Sequence, residues 1–250
     1  MIREGVHTVH ATQARIGIVF NCRKKPLMPP ELLPAIEFET GPNPDAAVIW
    51  LHGLGDDGNG WSQVVGALGL PRPLSVRFLF PHAPKMPITI NNGMVMPAWY
   101  DFKEADFSSR ADLVGVRKSQ GHVEALIGRE VARGIAPRRI VVAGFSQGGA
   151  MALYAGLRHE ARLAGIVALS TYLIDGPGLA TEAASANRDV PIFMAHGTQD
   201  PVVRLAWGEM SRKALVDGGW NVEWHTYAMA HAAVIEEIVA CGKFLSAVLK

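Results

Sequence analysis

The sequence predicts an α/β fold in which a mostly parallel central sheet is flanked by helices. Three observations predict it: short apolar runs alternate with amphipathic segments, one apolar run leads through a glycine-rich turn into a helical segment, and no linker-like block divides the 250 residues. Strands that alternate with helices require crossover connections, which gather functional loops at the carboxyl ends of the strands. We therefore expect one large domain over residues 28–250.

Short runs that are apolar almost throughout are typical of strands buried on both faces of a parallel sheet. Six runs have this character: Val48–Leu51, Arg77–Phe80, Ile140–Ala143, Gly165–Leu169, Pro191–Met194 and Val222–His225. Amphipathic stretches near residues 61–69, 112–134, 150–158, 203–218 and 231–248 predict the helices. Between residues 84 and 99 the chain is broken by prolines, and it is predicted to be a long loop.

The turn after Ile140–Ala143 is the most informative segment. It reads Gly-Phe-Ser-Gln-Gly-Gly over residues 144–149 and leads into a helix-like run. A strand, a Gly-x-Ser-x-Gly turn and a helix in that order are typical of a nucleophile elbow, whose strained turn exposes the serine hydroxyl. The motif alone is weak evidence in a chain with 26 glycines, so the prediction depends on the strand and helix around it. Ser146 is the predicted nucleophile; the alternative is a solvated serine in a glycine-rich turn.

A serine hydroxyl needs a base to take its proton, and four histidines follow Ser146. In hydrolases built on such an elbow the order along the chain is serine, acid, histidine. His159 ends the elbow helix, and His225 lies within a strand pattern. His196 directly follows a strand and is a candidate by position, but His231 follows the last strand near the C-terminus and is favoured.

Asp200 is the predicted acid that orients His231, because it lies on the loop after the strand that ends at Met194. Its alternative role is that of a helix N-cap, which aspartate commonly fills at such a position. Asp175 and Asp189 do not directly follow a strand, and we interpret them as turn residues.

An oxyanion that forms at the substrate carbonyl needs hydrogen-bond donors. The elbow supplies the backbone N–H of Gln147, and the loop over residues 52–60, after the first buried strand, supplies a second. Gly53 and Gly55 let that backbone approach a substrate, and the N–H of Leu54 is the predicted donor. A phosphate-binding loop is the alternative, but the segment lacks the lysine of a P-loop.

Together these motifs resemble the acyl-protein thioesterase and small carboxylesterase family (phospholipase/carboxylesterase type). The segments that carry the resemblance are Leu51–Asp56, Pro81–Pro84, Trp99–Asp101, Gly144–Gly149, His196–Val202 and His231. The resemblance runs from about Leu33 to the C-terminus. It implies an α/β-hydrolase without a large cap domain, a triad of Ser146, Asp200 and His231, and hydrolysis of carboxylic esters or thioesters without a cofactor or a metal. Ala232 departs from the family, which often has serine after the catalytic histidine.

The family resemblance also implies that the loop over residues 84–99 lies over the active site. Met96, Trp99 and Val202 are the predicted substrate contacts, because methionine and tryptophan suit an adaptable acyl groove. The methionines and the tryptophan are equally compatible with core packing. The implied substrates are small esters or thioesters, acylated proteins or lysophospholipids. The alternatives are another α/β-hydrolase reaction, such as dienelactone or peptide hydrolysis, and a binding protein without catalytic activity.

Composition limits the partners and the compartment. A net charge of +1 with scattered basic residues argues against nucleic acid, and the longest apolar runs are far too short for a transmembrane segment. Cys22 and Cys241 lack disulfide spacing, which favours a cytoplasmic protein. A homodimer is compatible with the sequence. Residues 1–27 are predicted to be a flexible extension, with an import sequence or a start at Met28 as alternatives.

Overall fold

The computed structural model describes residues 32–103 and 112–250. Its strands are β1 (Ala35–Glu39), β2 (Ala46–Leu51), β3 (Val76–Pro81), β4 (Lys85–Ile88), β5 (Met94–Pro97), β6 (Ile140–Phe145), β7 (Gly165–Leu169), β8 (Ile192–Gly197) and β9 (Val222–Tyr227). Its α-helices are α1 (Gly58–Ser62), α2 (Leu113–Ala132), α3 (Gln147–Arg158), α4 (Gly176–Glu182), α5 (Leu205–Asp217) and α6 (Ile235–Val248). The predicted extension, residues 1–27, lies outside the described residues.

Seven strands form the central sheet in the order β1-β3-β2-β6-β7-β8-β9. Strands β2, β3 and β6 to β9 are parallel, and β1 runs antiparallel to β3 at one edge. Every residue of β2, β3, β7 and β8 is buried, as continuous apolar runs require. The predicted α/β fold with a mostly parallel sheet flanked by helices is confirmed.

The two faces of the sheet carry separate halves of the core, because successive side chains of a strand point to opposite sides. Ile49 and Leu51 of β2 pack with α2, α3 and α5 on one face. Val48 and Trp50 pack with α1 and α6 on the other face. With helices on both faces, the carboxyl edge of the sheet is where the connecting loops meet.

Four of the elements escaped the prediction from sequence: the strands β1, β4 and β5 and the short helix α4. Strand β1 alternates charged and apolar residues and is half exposed, so it lacks the buried character of its neighbours. The segment over residues 84–99 is not a plain loop, since β4 pairs with β5 as an antiparallel hairpin. Its turn is made by Asn92 and Gly93, which both adopt positive φ, at 54° and 77°.

The last helix also begins later than predicted. It was expected from residue 231, but α6 begins at Ile235, and residues 231–234 form bends and irregular backbone. His231 therefore lies on a loop after β9. No helix within residues 32–103 or 112–250 combines the length and the apolar character that a membrane span requires.

Candidate active site

Ser146 forms the junction between β6 and α3, with φ 53° and ψ −121°. Residues other than glycine rarely adopt this backbone conformation, which costs on the order of 1–3 kcal/mol. Two glycines make the turn sterically feasible. A Cβ at Gly144 would overlap the backbone of Gly148, and a Cβ at Gly148 would overlap the carbonyl oxygen of Leu51.

Hydrogen bonds on both sides of the Ser146 peptide hold this strained conformation. The N–H of Ser146 donates to the carbonyl oxygen of Leu169 at 2.9 Å. Its carbonyl oxygen accepts from the Thr171 hydroxyl at 2.6 Å and from the N–H of Ala150 at 3.0 Å. The hydroxyl is therefore presented at a fixed place on the carboxyl edge of the sheet.

Ser146, His231 and Asp200 form one hydrogen-bonded line. The Nε2 atom of His231 lies 2.9 Å from the Ser146 hydroxyl, and its Nδ1 atom lies 2.6 Å from Oδ2 of Asp200. A carboxylate only accepts hydrogen bonds, so Nδ1 carries the proton and Nε2 is the acceptor. This arrangement allows the imidazole to take the serine proton.

The Asp200 carboxylate is fully buried, and both of its oxygen atoms have hydrogen-bond partners. Its Oδ1 atom accepts from the N–H groups of Val202 and Val203, at 2.8 and 2.9 Å, while Oδ2 faces His231. The residue preceding α5 is Arg204, so Asp200 does not cap that helix. It orders the turn before the helix and contacts the histidine at the same time.

The competing candidates lie elsewhere. Asp175 caps α4, where its carboxylate accepts from the N–H of Gly178, and Asp189 pairs with Arg162. His159 pairs with Glu124 at the far end of α3, and His225 pairs with Glu223 on the edge strand β9. Within the described residues, none of these four contacts Ser146.

His196 is close to Asp200 but faces a different group. It is fully buried at the end of β8, and its Nε2 atom donates to the carbonyl oxygen of Val203 at 2.7 Å. Burial lowers the pKa of His196, which keeps the ring neutral. The ring thus supports the turn whose N–H groups bind the Asp200 carboxylate.

The two predicted oxyanion donors lie beside Ser146. Leu54 and Gln147 line the same cavity as the serine. Gln147 is the first residue of α3, where the N–H has no acceptor within the helix. In the described part of the chain, neither of these two N–H groups is engaged by an acceptor. Both N–H groups therefore remain candidates for donation to a substrate oxygen.

His52 holds the peptide that carries the Leu54 N–H. The N–H of Ala83 donates to Nε2 of His52 at 3.0 Å, so the ring proton is on Nδ1, which donates to the carbonyl oxygen of Gly53 at 2.7 Å. Burial lowers the pKa of His52, so the ring stays neutral and keeps this tautomer. That carbonyl belongs to the same peptide group as the N–H of Leu54.

The sequence reasoning gave His52 and His196 no positioning role. Both histidines stand before a glycine at the end of a buried strand. In both, one ring nitrogen donates to a backbone carbonyl of a neighbouring loop. The repeated strand-His-Gly pattern is the sequence signal from which their role could have been predicted.

A cavity of about 520 Å³ opens above Ser146. Its lining is mainly apolar and comprises Gly53, Leu54, Asp56, Gly60, Trp61, Val64, Phe102, Phe145, Ser146, Gln147, Tyr172, Val202, Val203, His231, Ala232 and Ala233. The Phe145 ring packs on the His231 imidazole with a centroid separation of 4.7 Å. Such a volume and lining suit an acyl chain better than a charged ligand.

The three predicted substrate contacts occupy different places. Val202 lines the cavity. Met96 lies in β5 outside this lining, and its sulfur accepts from the Asn91 amide at 3.4 Å. Trp99 is fully buried beneath the loop over residues 52–60 and lies outside this lining, as the core-packing alternative expects. The indole lies in the interior, where its N–H donates to the backbone carbonyl oxygen of His52.

Other reactive groups are sparse near the site. Cys241 is fully buried on α6, and burial raises the pKa of its thiol. Among the described residues no group of three histidine, cysteine or acidic side chains is arranged to hold a metal ion.

Comparison with known proteins gives consistent matches. A profile of the phospholipase/carboxylesterase family matches residues 34–249. Acyl-protein thioesterase 1 of Neurospora crassa is 44% identical over 227 residues, covering 87% of this chain and 91% of that protein. The crystal structure of acyl-protein thioesterase 2 from Zea mays superimposes with a TM-score of 0.74 at 31% identity, over 86% of this chain and 99% of that one. SOBER1 of Arabidopsis thaliana superimposes with a TM-score of 0.78 at 29% identity, over 82% and 99% of the two chains.

Proposed function

This chain belongs to the phospholipase/carboxylesterase family, and we propose that it cleaves esters or thioesters of acyl chains by forming an acyl-enzyme at Ser146. The family relationship makes the chain a hydrolase enzyme of the α/β-hydrolase fold. One observation supports the mechanism above all others. The hydrogen-bonded line from Asp200 through His231 to Ser146 ends in a mainly apolar cavity. Leu54 and Gln147 also line this cavity, and their backbone N–H groups have no acceptor among the described residues.

In the first step, the Ser146 oxygen attacks the carbonyl carbon of the substrate while Nε2 of His231 takes its proton. The carbonyl π electrons move to oxygen and form a tetrahedral oxyanion. The N–H groups of Leu54 and Gln147 donate to that oxygen. Asp200 stabilises the imidazolium, and its own two backbone donors keep it in place.

In the second step, the oxyanion collapses and the bond to the leaving group breaks. His231 returns its proton to the leaving alcohol or thiol, and an acyl ester of Ser146 remains. Water then enters, and its oxygen attacks the acyl carbon while His231 takes its proton; the same two donors stabilise the second oxyanion. Collapse breaks the bond between the acyl carbon and the Ser146 oxygen, and His231 returns the proton to that oxygen. The carboxylic acid leaves, and the serine hydroxyl is restored.

The cavity supports an acyl substrate. Its described lining carries one carboxylate, Asp56, and no lysine or arginine. A dienelactone or peptide hydrolase would require charged groups suited to a polar substrate. The relative from Neurospora crassa is named for action on acylated proteins. We extend that substrate class to this chain, with lysophospholipids and small carboxylic esters as further candidates.

Replacement of Ser146 by alanine tests the proposal. Ser146→Ala should lower kcat for hydrolysis of p-nitrophenyl butyrate by about a million-fold, because the nucleophile and base act as a unit. A fluorophosphonate should label the wild type and not the variant. As a control, Ser246→Ala removes a hydroxyl bonded to Gly242 near the end of α6 and should keep the rate within about twofold.

A rate panel then defines the substrate class. It compares p-nitrophenyl esters of two to twelve carbons with an acyl-CoA and an S-acylated peptide. If purified Ser146→Ala kept more than a tenth of the wild-type rate, Ser146 would not be the nucleophile. If the wild type hydrolysed none of these substrates, the proposed acyl hydrolysis would be wrong.

A further inference from the structure

We propose that Trp99 is a positioning residue that sets the spacing between the two oxyanion donors. The inference rests on the proposed function, because it concerns the N–H groups of Leu54 and Gln147. Trp99 lies in neither the triad nor the cavity lining. Its contacts nevertheless connect the two backbone segments that carry these donors.

The first connection runs from Gln147 to the main chain of Trp99. The side-chain oxygen of Gln147 accepts from the N–H of Trp99 at 2.9 Å, and its Nε2 donates to the carbonyl oxygen of Tyr100 at 2.8 Å. Both atoms of this buried amide are thus bonded to one short segment. The residue whose backbone N–H is one oxyanion donor therefore holds residues 99–100 with its side chain.

The second connection runs from the Trp99 indole to the loop over residues 52–60, which carries the Leu54 N–H. Its Nε1–H donates to the carbonyl oxygen of His52 at 2.9 Å, and the indole and imidazole centroids are 5.3 Å apart. The imidazole in turn donates to Gly53, whose peptide group carries the Leu54 N–H. Trp99 thereby fixes both the backbone and the ring of the residue that orients the other donor.

The link is anchored from a third direction and is shielded from water. The hydroxyl of Ser119 on α2 donates to the carbonyl oxygen of Trp99. Trp99, His52 and Gln147 are each 3% exposed or less. Without solvent to replace it, loss of the indole N–H leaves the His52 carbonyl without that donor, and the loop is free to move relative to α3.

An oxyanion hole is effective only when its donors are placed before the charge develops, so a small change in spacing affects the transition state more than the bound substrate. Trp99→Phe keeps an aromatic ring and removes the N–H. We expect kcat for a p-nitrophenyl ester to fall about 10- to 100-fold while KM stays within about threefold. The inhibition constant of an alkyl trifluoromethyl ketone, whose adduct carries the oxyanion, should rise by the same factor as kcat/KM falls.

Trp220→Phe is the matched control. The Trp220 indole is also buried and donates to a backbone carbonyl, that of Asn187, at 2.9 Å, but it lies at the end of α5 away from the site. Trp220→Phe should lower the free energy of unfolding by about as much as Trp99→Phe does. It should keep kcat and the ketone affinity within about twofold.

Circular dichroism and the melting temperature confirm that each variant is folded. If Trp99→Phe does not fold, 3-benzothienylalanine at position 99 alone replaces the N–H by sulfur at nearly constant shape, and the same losses are expected. Unchanged kcat and ketone affinity in a folded variant, or losses matched by Trp220→Phe, would overturn the inference and leave the proposed function intact. Failure of the wild type to hydrolyse esters would overturn both.

Discussion

Among the described residues, the side chains of Asp200 and Glu237 are both buried, and they have opposite surroundings. Asp200 accepts two backbone N–H groups and faces His231. Glu237, in the first turn of α6, has no hydrogen-bond partner for either oxygen among the described residues. Burial raises the pKa of Glu237 to about 8. The comparison teaches that hydrogen-bond donors decide what a buried carboxylate can do: N–H donors favour the charged form, and burial without donors favours the neutral form.

Of the changes that test this comparison, removing the charge of Asp200 has the largest expected effect. Asp200→Asn should lower kcat by roughly ten-thousand-fold, because an amide at this place favours the wrong imidazole tautomer. The measurement is steady-state hydrolysis of a short-chain p-nitrophenyl ester by folded protein. Asp175→Asn and Asp189→Asn are the matched controls and should keep near wild-type rates. If either control were the damaging change, the assignment of the acid would have to move.

Replacing Glu237 by a residue that cannot ionise should change stability instead of turnover. The folded-state pKa, about 8, lies above the ordinary 4.5. Protonated Glu237 therefore stabilises the fold fully below about pH 4.5, and this stabilisation is lost as the pH rises toward 8. In Glu237→Gln this dependence should disappear, and the free energy of unfolding at pH 8 should exceed that of the wild type by up to about 4 kcal/mol.

Urea denaturation between pH 5 and 8 measures this difference, with Glu236→Gln as the control. Glu236 is exposed on the same turn of α6 and should leave the pH dependence unchanged. Parallel curves for Glu237→Gln and the wild type would show that Glu237 is ionised in the folded protein, and the contrast with Asp200 would fail.

Deletion of residues 1–27 should have the smallest effect, because the sequence predicts a flexible extension there. A chain that begins at Met28 should keep its melting temperature within a few degrees and its rate on a short-chain ester within about twofold. Differential scanning calorimetry and the ester assay test this directly. A large loss of stability or rate would mean that the extension packs on the domain and that the boundary at residue 28 is misplaced.

The sequence predicted those parts of the molecule that follow from local patterns. The buried strands were recognisable because parallel strands are apolar throughout, and Ser146 because its turn has a steric requirement for glycine. Strand β1 escaped because an exposed edge strand has no continuous apolar run. The hairpin β4–β5 escaped because its prolines suggested a loop, although Asn92 and Gly93 signalled the turn.

Within the candidate site, residue types at strand ends predicted which side chains meet, and not how they are held. His231 and Asp200 were chosen from their order along the chain, and the structure brings both to Ser146. Trp99 was interpreted as a substrate contact because tryptophan suits an apolar groove. Its direction depends on a long-range hydrogen bond to His52, 47 residues away in sequence, which no local pattern encodes.

The order of strands in the sheet also has a consequence for folding. Ser146 follows β6, Asp200 follows β8 and His231 follows β9, so Ser146 and His231 are 85 residues apart along the chain. Such pairs close large loops and form late, because the entropy of loop closure is lost before the contact is gained. Under the proposed mechanism, a chain in which β9 has not yet joined the sheet has its serine turn but lacks the base, and we expect it to be inactive. Enzymatic activity is therefore a stricter measure of complete folding for this protein than helix content or compactness.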